Sequence, residues 1–148
     1  MINTNQKLLL LVFSFSLVIS QIDTNIENNF NLFISSLNSY NQNFGLSKSE
    51  LDIKKIEKFN DQIFITISCG RNNYKSTIAT CSYFLGNIFK TMGSFDSKSV
   101  QIILYVESFD NTRFISETLV ETFIKIVNKE INISNFVNNL ILIKERIN

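Results

Sequence analysis

The chain of 148 residues is 45% apolar and 18% charged, with 14 basic and 13 acidic side chains. That balance fits one buried core, and it excludes both intrinsic disorder as the main state and a global positive field for nucleic acid or anionic lipid. There is no His, Pro or Trp, so the commonest general base and metal ligand at neutral pH is missing, and most hydrolase constellations go with it.

The first segment, "MINTNQKLLLLVFSFSLVISQ", has a short polar start with one Lys, then an apolar run over residues 8–19. Val18-Ile19-Ser20 before Gln21 fits a signal-peptidase site, so residues 1–20 read as a signal peptide cleaved after Ser20. The twelve-residue run reaches only ~18 Å as a helix, short of the ~30 Å hydrocarbon core. An uncleaved anchor over residues 8–22 is the alternative, and the one route by which a membrane would be involved. Residues 21–148 then form a single secreted or extracytoplasmic domain. Without Lys7 its basic and acidic residues are equal in number.

Ile26, Phe30, Phe33, Ile34 and Leu37 recur at steps of three and four, predicting an amphipathic helix over residues 25–40. "LDIKKIEKF" and "QIFITISC" follow, separated by Asn60-Asp61. The second run alternates, with Ile63, Ile65, Ile67 and Cys69 on one face, and a two-residue turn makes the pair a β-hairpin. If Phe59 pairs with Gln62, Ile56 opposes Ile65 and is flanked by Lys54 and Lys58. Inward lysines mark an edge strand. Lys54, Lys55 and Lys58, interrupted by Glu57, otherwise read as a solvated edge.

Over residues 73–92, Tyr74, Ile78, Cys81, Leu85, Ile88 and Met92 predict a second amphipathic helix, with Gly93 as its stop signal. "VQIILYVESF" puts Val100, Ile102, Leu104 and Val106 inward. A turn at Asp110-Asn111, pairing Phe109 with Thr112, would set Ile115 opposite Val106. Thr118 and Glu121 form a capping box for a helix buried through Leu119, Phe123, Ile126 and Val127. In "INISNFVNNLILIKERIN", Ser134 is a candidate cap for a short helix, although "LILI" also reads as a strand. The fold class is α+β: an N-terminal helix, then two hairpin-plus-helix units forming a four-stranded, mainly antiparallel sheet with helices packed on it, and a short C-terminal helix.

"FITISC" leading into "NYKSTIATCSYFLGNIF", then "VQIILYV" with its hairpin, and finally "KEINISNFVNNLI" give the chain an order that resembles a group of short secreted archaeal proteins of unknown function. The likeness spans most of the mature chain, through patterns rather than rare residues. It implies a fold and an export route and carries no activity.

"SCGRNNYKST" stands where a phosphate loop would. Between Gly70 and Lys75-Ser76, however, the second glycine of a Walker A loop is missing and the loop is one residue short. What survives is an anion- or nucleotide-binding alternative over residues 70–76, in which Arg71, Asn73 and Lys75 surround a helix N-terminus. Lys75 and Ser76 cannot act as a catalytic pair, since neighbours on a helix diverge. Glu117 and Glu121 read as helix-start acids rather than a Ca²⁺ site. Neither a catalytic residue, a metal site nor a cofactor is indicated. Cys69 and Cys81 are too far apart for a bridge if the helix starts near Asn73.

The most suggestive surface is the sheet face opposite the core. Alternation places Phe64, Ile103, Tyr105 and Phe114 there, among Thr66, Ser68, Gln101 and Glu107. The N-terminal helix is one candidate cover for it. Left open, it is a docking face for a protein, a peptide or an envelope component. The expectation is a non-enzymatic binding module.

Overall fold

The computed structural model describes residues 29–43, 51–93, 96–107 and 112–146; residues 1–20, expected to be a signal peptide, and the Asp110-Asn111 turn lie outside them. At its centre is the most regular alternation in the sequence. Strand β2 (Gln62–Gly70) buries Ile63, Ile65, Ile67 and Cys69 and leaves Phe64, Thr66 and Ser68 half-buried on the other face. Side chains branched at Cβ suit this pleat, where they pack against neighbouring strands without losing further rotamer freedom. Strand β1 (Asp52–Phe59) joins β2 through Asn60-Asp61, with Phe59 opposite Gln62 and Ile56 opposite Ile65, as expected. Asn60 adopts φ 52, a left-handed conformation that Asn enters more readily than most residues.

β1 is an edge strand, and its lysines are handled differently from the simple alternation. A bulge between Ile53 and Lys55 brings Ile53, rather than Lys54, opposite Ile67. Lys54 thereby leaves the inner face and meets Asp52 at 2.6 Å in solvent. The extra residue exchanges a costly inward ammonium for an aliphatic side chain. Lys58 keeps its inward position opposite Ile63.

Strand β3 (Ser99–Glu107) runs parallel to β2, with Ile65 opposite Ile102. Strand β4 (Thr112–Leu119) is antiparallel to β3, and a fifth strand, β5 (Ile143–Arg146), is antiparallel to β4. The sheet is therefore mixed and five-stranded, in the order β1-β2-β3-β4-β5, rather than four-stranded. The last stretch of the chain holds the expected short helix, but "LILI" is not the strand: residues 140–142 lie in neither element and the strand is Ile143–Arg146.

The register of β4 is the main correction. Val106 faces Thr112 and Ile103 faces Ile115, which differs from the expected pairing by an odd number of residues and so exchanges the two faces of the strand. Phe114, Ser116 and Thr118 turn toward the helices; Arg113, Ile115, Glu117 and Leu119 turn away. Charge explains the choice. The expected register would have carried Arg113 and Glu117 into the core, at a cost far above that of exposing Ile115.

Four helices lie on the inner face among the described residues. Residues 29–43 form α1, followed by α2 (Tyr74–Met92), α3 (Val120–Val127) and α4 (Ile133–Asn139). α2 buries Ile78, Cys81, Leu85 and Ile88 over the sheet. It ends at Gly93, whose φ of 86 favours glycine and whose N–H donates to the Phe89 carbonyl at 3.0 Å. The Thr118–Glu121 capping box does not form. Thr118 stays in β4 with its side chain buried, and the N-cap of α3 is Leu119, which makes no side-chain cap. α4 is capped by Asn132 rather than Ser134: its Oδ1 accepts from the amides of Ser134 and Asn135.

A run of rings ties the helices together. Phe30 stacks on Phe33 and Phe33 on Phe89, with centroids 6.0 and 5.7 Å apart; Phe89 meets Phe123 at 6.2 Å, and Phe123 meets Phe136 edge-on at 6.5 Å. α1, α2, α3 and α4 are thus joined by one aromatic chain, within the separations at which rings attract. α1 also closes onto β1, because the Asn41 amide both donates to the Leu51 carbonyl and accepts from the Leu51 N–H, each at 2.8 Å. Between α2 and α3 the approach is close enough to require a residue without Cβ at Gly86.

Candidate functional site

With the helices on one side, the opposite sheet face carries no helix among the described residues. α1, the candidate cover, packs instead on α2 through Phe33–Phe89 and Tyr40–Phe84. The registers place Thr66, Ile103, Ile115 and Ile143 in one row across β2, β3, β4 and β5. Phe64 stands one row away, and Tyr105 lies in the row on the other side, 37% exposed. Of the four residues expected on this face, Phe64, Ile103 and Tyr105 are there. Phe114 is not: it lies on the helix side, its ring stacked on Tyr74 of α2 at 5.7 Å. Ile115 takes the outward place, and Ile143 extends the row onto a strand that the sequence did not single out.

Polar groups flank this apolar band on both sides. Toward one end Gln62 Nε2 donates to Ser99 Oγ at 3.1 Å, and that hydroxyl donates to Glu117 Oε1 at 2.8 Å. Toward the other, Arg113 Nε donates to Glu145 Oε2 at 2.7 Å. The hydrogen bond to Glu145, then one to Tyr105, then the Glu145 charge hold the Arg113 guanidinium above its ordinary value. Arginine is a fixed cation in any case, so Arg113 keeps its charge across the biological pH range.

The loop over residues 70–76 holds the side chains of the anion-binding alternative. Asn73 is the N-cap of α2 but makes no side-chain cap. The Ser76 hydroxyl donates back to the Asn73 carbonyl at 2.8 Å. Lys75 leans toward α4 instead, where Nζ donates to Asn138 Oδ1 at 3.0 Å, and Arg71 is exposed.

Among the described residues no group of three or more His, Cys, Asp or Glu side chains is placed to hold a metal ion. Cys69 and Cys81 are buried thiols and are not bridged, and burial pushes the Cys81 thiol up to about 12, leaving almost no thiolate at neutral pH. Glu121 is engaged with Lys125 one turn on, at 3.7 Å. No described helix is long and apolar enough to cross a membrane. Compared with known proteins, the chain matches no family model, no curated protein and no solved structure.

Proposed function

We propose that this protein is an exported, non-enzymatic binding module whose outer sheet face docks a protein partner. The observation that carries the reading is the band of Phe64, Ile103, Ile115 and Ile143 beside Tyr105, on a face where no described helix lies. Half-apolar sheet faces in soluble domains are ordinarily packed against something. Here the polar margins on either side would limit a partner to the central rows and set its orientation. Aromatic anchors such as Phe64 and Tyr105 are the residue types that dominate such contacts.

A photo-crosslinking residue placed at position 105 is expected to capture one partner from the native extracytoplasmic fraction, and the capture is expected to disappear in the Phe64→Ser variant. The same probe at Tyr83, an exposed tyrosine on α2, serves as the control on the helix side. Equal capture at both positions would overturn the reading. So would a Phe64→Ser protein that is unfolded by circular dichroism, because the face would then be interior. Export rests on the leader and on the resemblance to secreted archaeal proteins. Amino-terminal sequencing is expected to find a mature chain beginning at Gln21, and a mature chain retaining residues 8–19 would remove the export argument.

A further inference from the structure

β4 is longer than the strand that covers its outer edge. Its pairs with β5 run from Thr112 opposite Arg146 to Ile115 opposite Ile143, so residues 116–119 have no described strand beside them on that side. The direction of their backbone groups follows from the pairing with β3. The Val120 amide donates to the Lys98 carbonyl at 2.9 Å, one step beyond Ser99 opposite Leu119. Even-numbered positions of β4 therefore turn N–H and C=O toward β3, and odd-numbered positions turn them the other way. β5 takes up Arg113 and Ile115. The N–H and C=O of Glu117 and the N–H of Leu119 then face outward, while the Leu119 carbonyl, at an N-cap, is committed to the first turn of α3.

Glu117 and Leu119 line an open groove of about 440 Å³ between the end of β4 and the segment that runs from α4 into β5. Thr118, Phe136, Leu140 and Ile141 line it beside Glu117 and Leu119. Ile141 is 82% exposed and Leu119 54%. One Glu117 oxygen accepts from Ser99, and that carboxylate is the sole charge in the lining. The rest of β5 is protected against pairing: Lys144, Glu145 and Arg146 form a charged edge that discourages another strand. The groove has no such guard beyond the one carboxylate.

We infer that this groove takes an extended peptide segment of another polypeptide as an added strand along β4, in line with β5, with apolar side chains toward Phe136 and a basic side chain beside Glu117. Main-chain hydrogen bonds to Glu117 and Leu119 supply the register, and the alternation of side chains supplies the selectivity. The groove shares Glu117 with the polar margin of the outer-face band, and neither reading requires the other.

The probe is the synthetic peptide acetyl-Val-Lys-Val-Lys-Val-amide, titrated into the full chain while backbone amide exchange is followed by NMR. Binding is expected to slow exchange at Glu117 and Leu119 and to leave the amides of Arg113 and Ile115, already covered by β5, unchanged. A peptide N-methylated on its bonding edge is expected to bind at least about tenfold more weakly, as is one with Glu in place of Lys. Glu117→Gln, which keeps the acceptor for Ser99, is expected to remove the Lys preference. Phe64→Ser is expected to bind the peptide unchanged. Absence of protection at millimolar peptide, or equal binding of the N-methylated form, overturns the proposal. So does protection that rises with protein concentration alone, which would make a second copy of the chain the occupant.

Discussion

Gly86→Ala is expected to destabilise the fold by about 3 kcal/mol, the upper part of the usual range for overpacking. A methyl group at that position would stand 2.3 Å from the Phe123 carbonyl oxygen and 2.3 Å from a Val127 methyl carbon. The first of these atoms is backbone, so relief requires α3 to move away from α2 as a body. That motion would loosen the Phe89–Phe123 contact on which the two helices depend. In an isolated helix the same change is favourable by about 1 kcal/mol, so the sign of the result discriminates sharply. Urea titration read by circular dichroism is the measurement, and the thermal midpoint is expected to fall by about 10 °C. Gly70→Ala is the control. Its added methyl would have Asn73 Nδ2 at 3.8 Å as its nearest contact, and the substitution is expected to be close to neutral. A Gly86→Ala protein as stable as the parent would show that α2 and α3 do not approach as described.

Phe89→Ala is expected to cost more, about 4 kcal/mol, in line with other large aromatic truncations in cores. The side chain is 2% exposed and stands in the middle of the aromatic chain, between Phe33 on α1 and Phe123 on α3. Truncation removes its own buried area and leaves two rings facing a void that neither can fill without moving its helix. Phe89→Leu keeps most of the volume and is expected to cost less than half as much. The two unfolding curves, measured side by side, separate ring contacts from simple bulk. If Phe89→Ala costs less than about 1 kcal/mol, the site collapses freely and the four-helix linkage is not a structural necessity.

The parts of the fold legible in the sequence are those where one periodicity had no competitor. β2 alternates without interruption, and the two-residue Asn60-Asp61 turn leaves a single register with β1, so Ile56 and Ile65 could be matched residue by residue. β4 was misread because "TRFISETL" offers two alternations, Phe114 on one and Ile115 on the other. A two-residue turn at Asp110-Asn111, pairing Phe109 with Thr112, set Ile115 inward opposite Val106. The decisive signal was present: Arg113 and Glu117 share the parity of Ile115, and a charge is far costlier to bury than an isoleucine is to expose. The capping box at Thr118 failed for a related reason, since a capping pattern is local and the pairing of Thr118 with Val100 is not. β5 was the least legible element. "IKER" has no apolar face of its own, and it is a strand because β4 offers it an edge and Arg113 offers Glu145 a partner. At the outer face, alternation found Phe64, Ile103 and Tyr105. It missed Ile143 because that residue belongs to the strand that only tertiary context creates.

The parallel pairing of β2 with β3 sets an order on the acquisition of structure. β1 with β2, and β3 with β4, are neighbours in the chain and can form early, each within its own short segment. The seam between them joins residues separated by the whole of α2, and the entropy of closing that span must be lost before any contact across it is gained. The slow step is therefore expected to await α2, with substitutions in its sheet-facing stripe and at Asn60-Asp61, whose hairpin is already formed at that step, retarding refolding and leaving the rate of unfolding little changed.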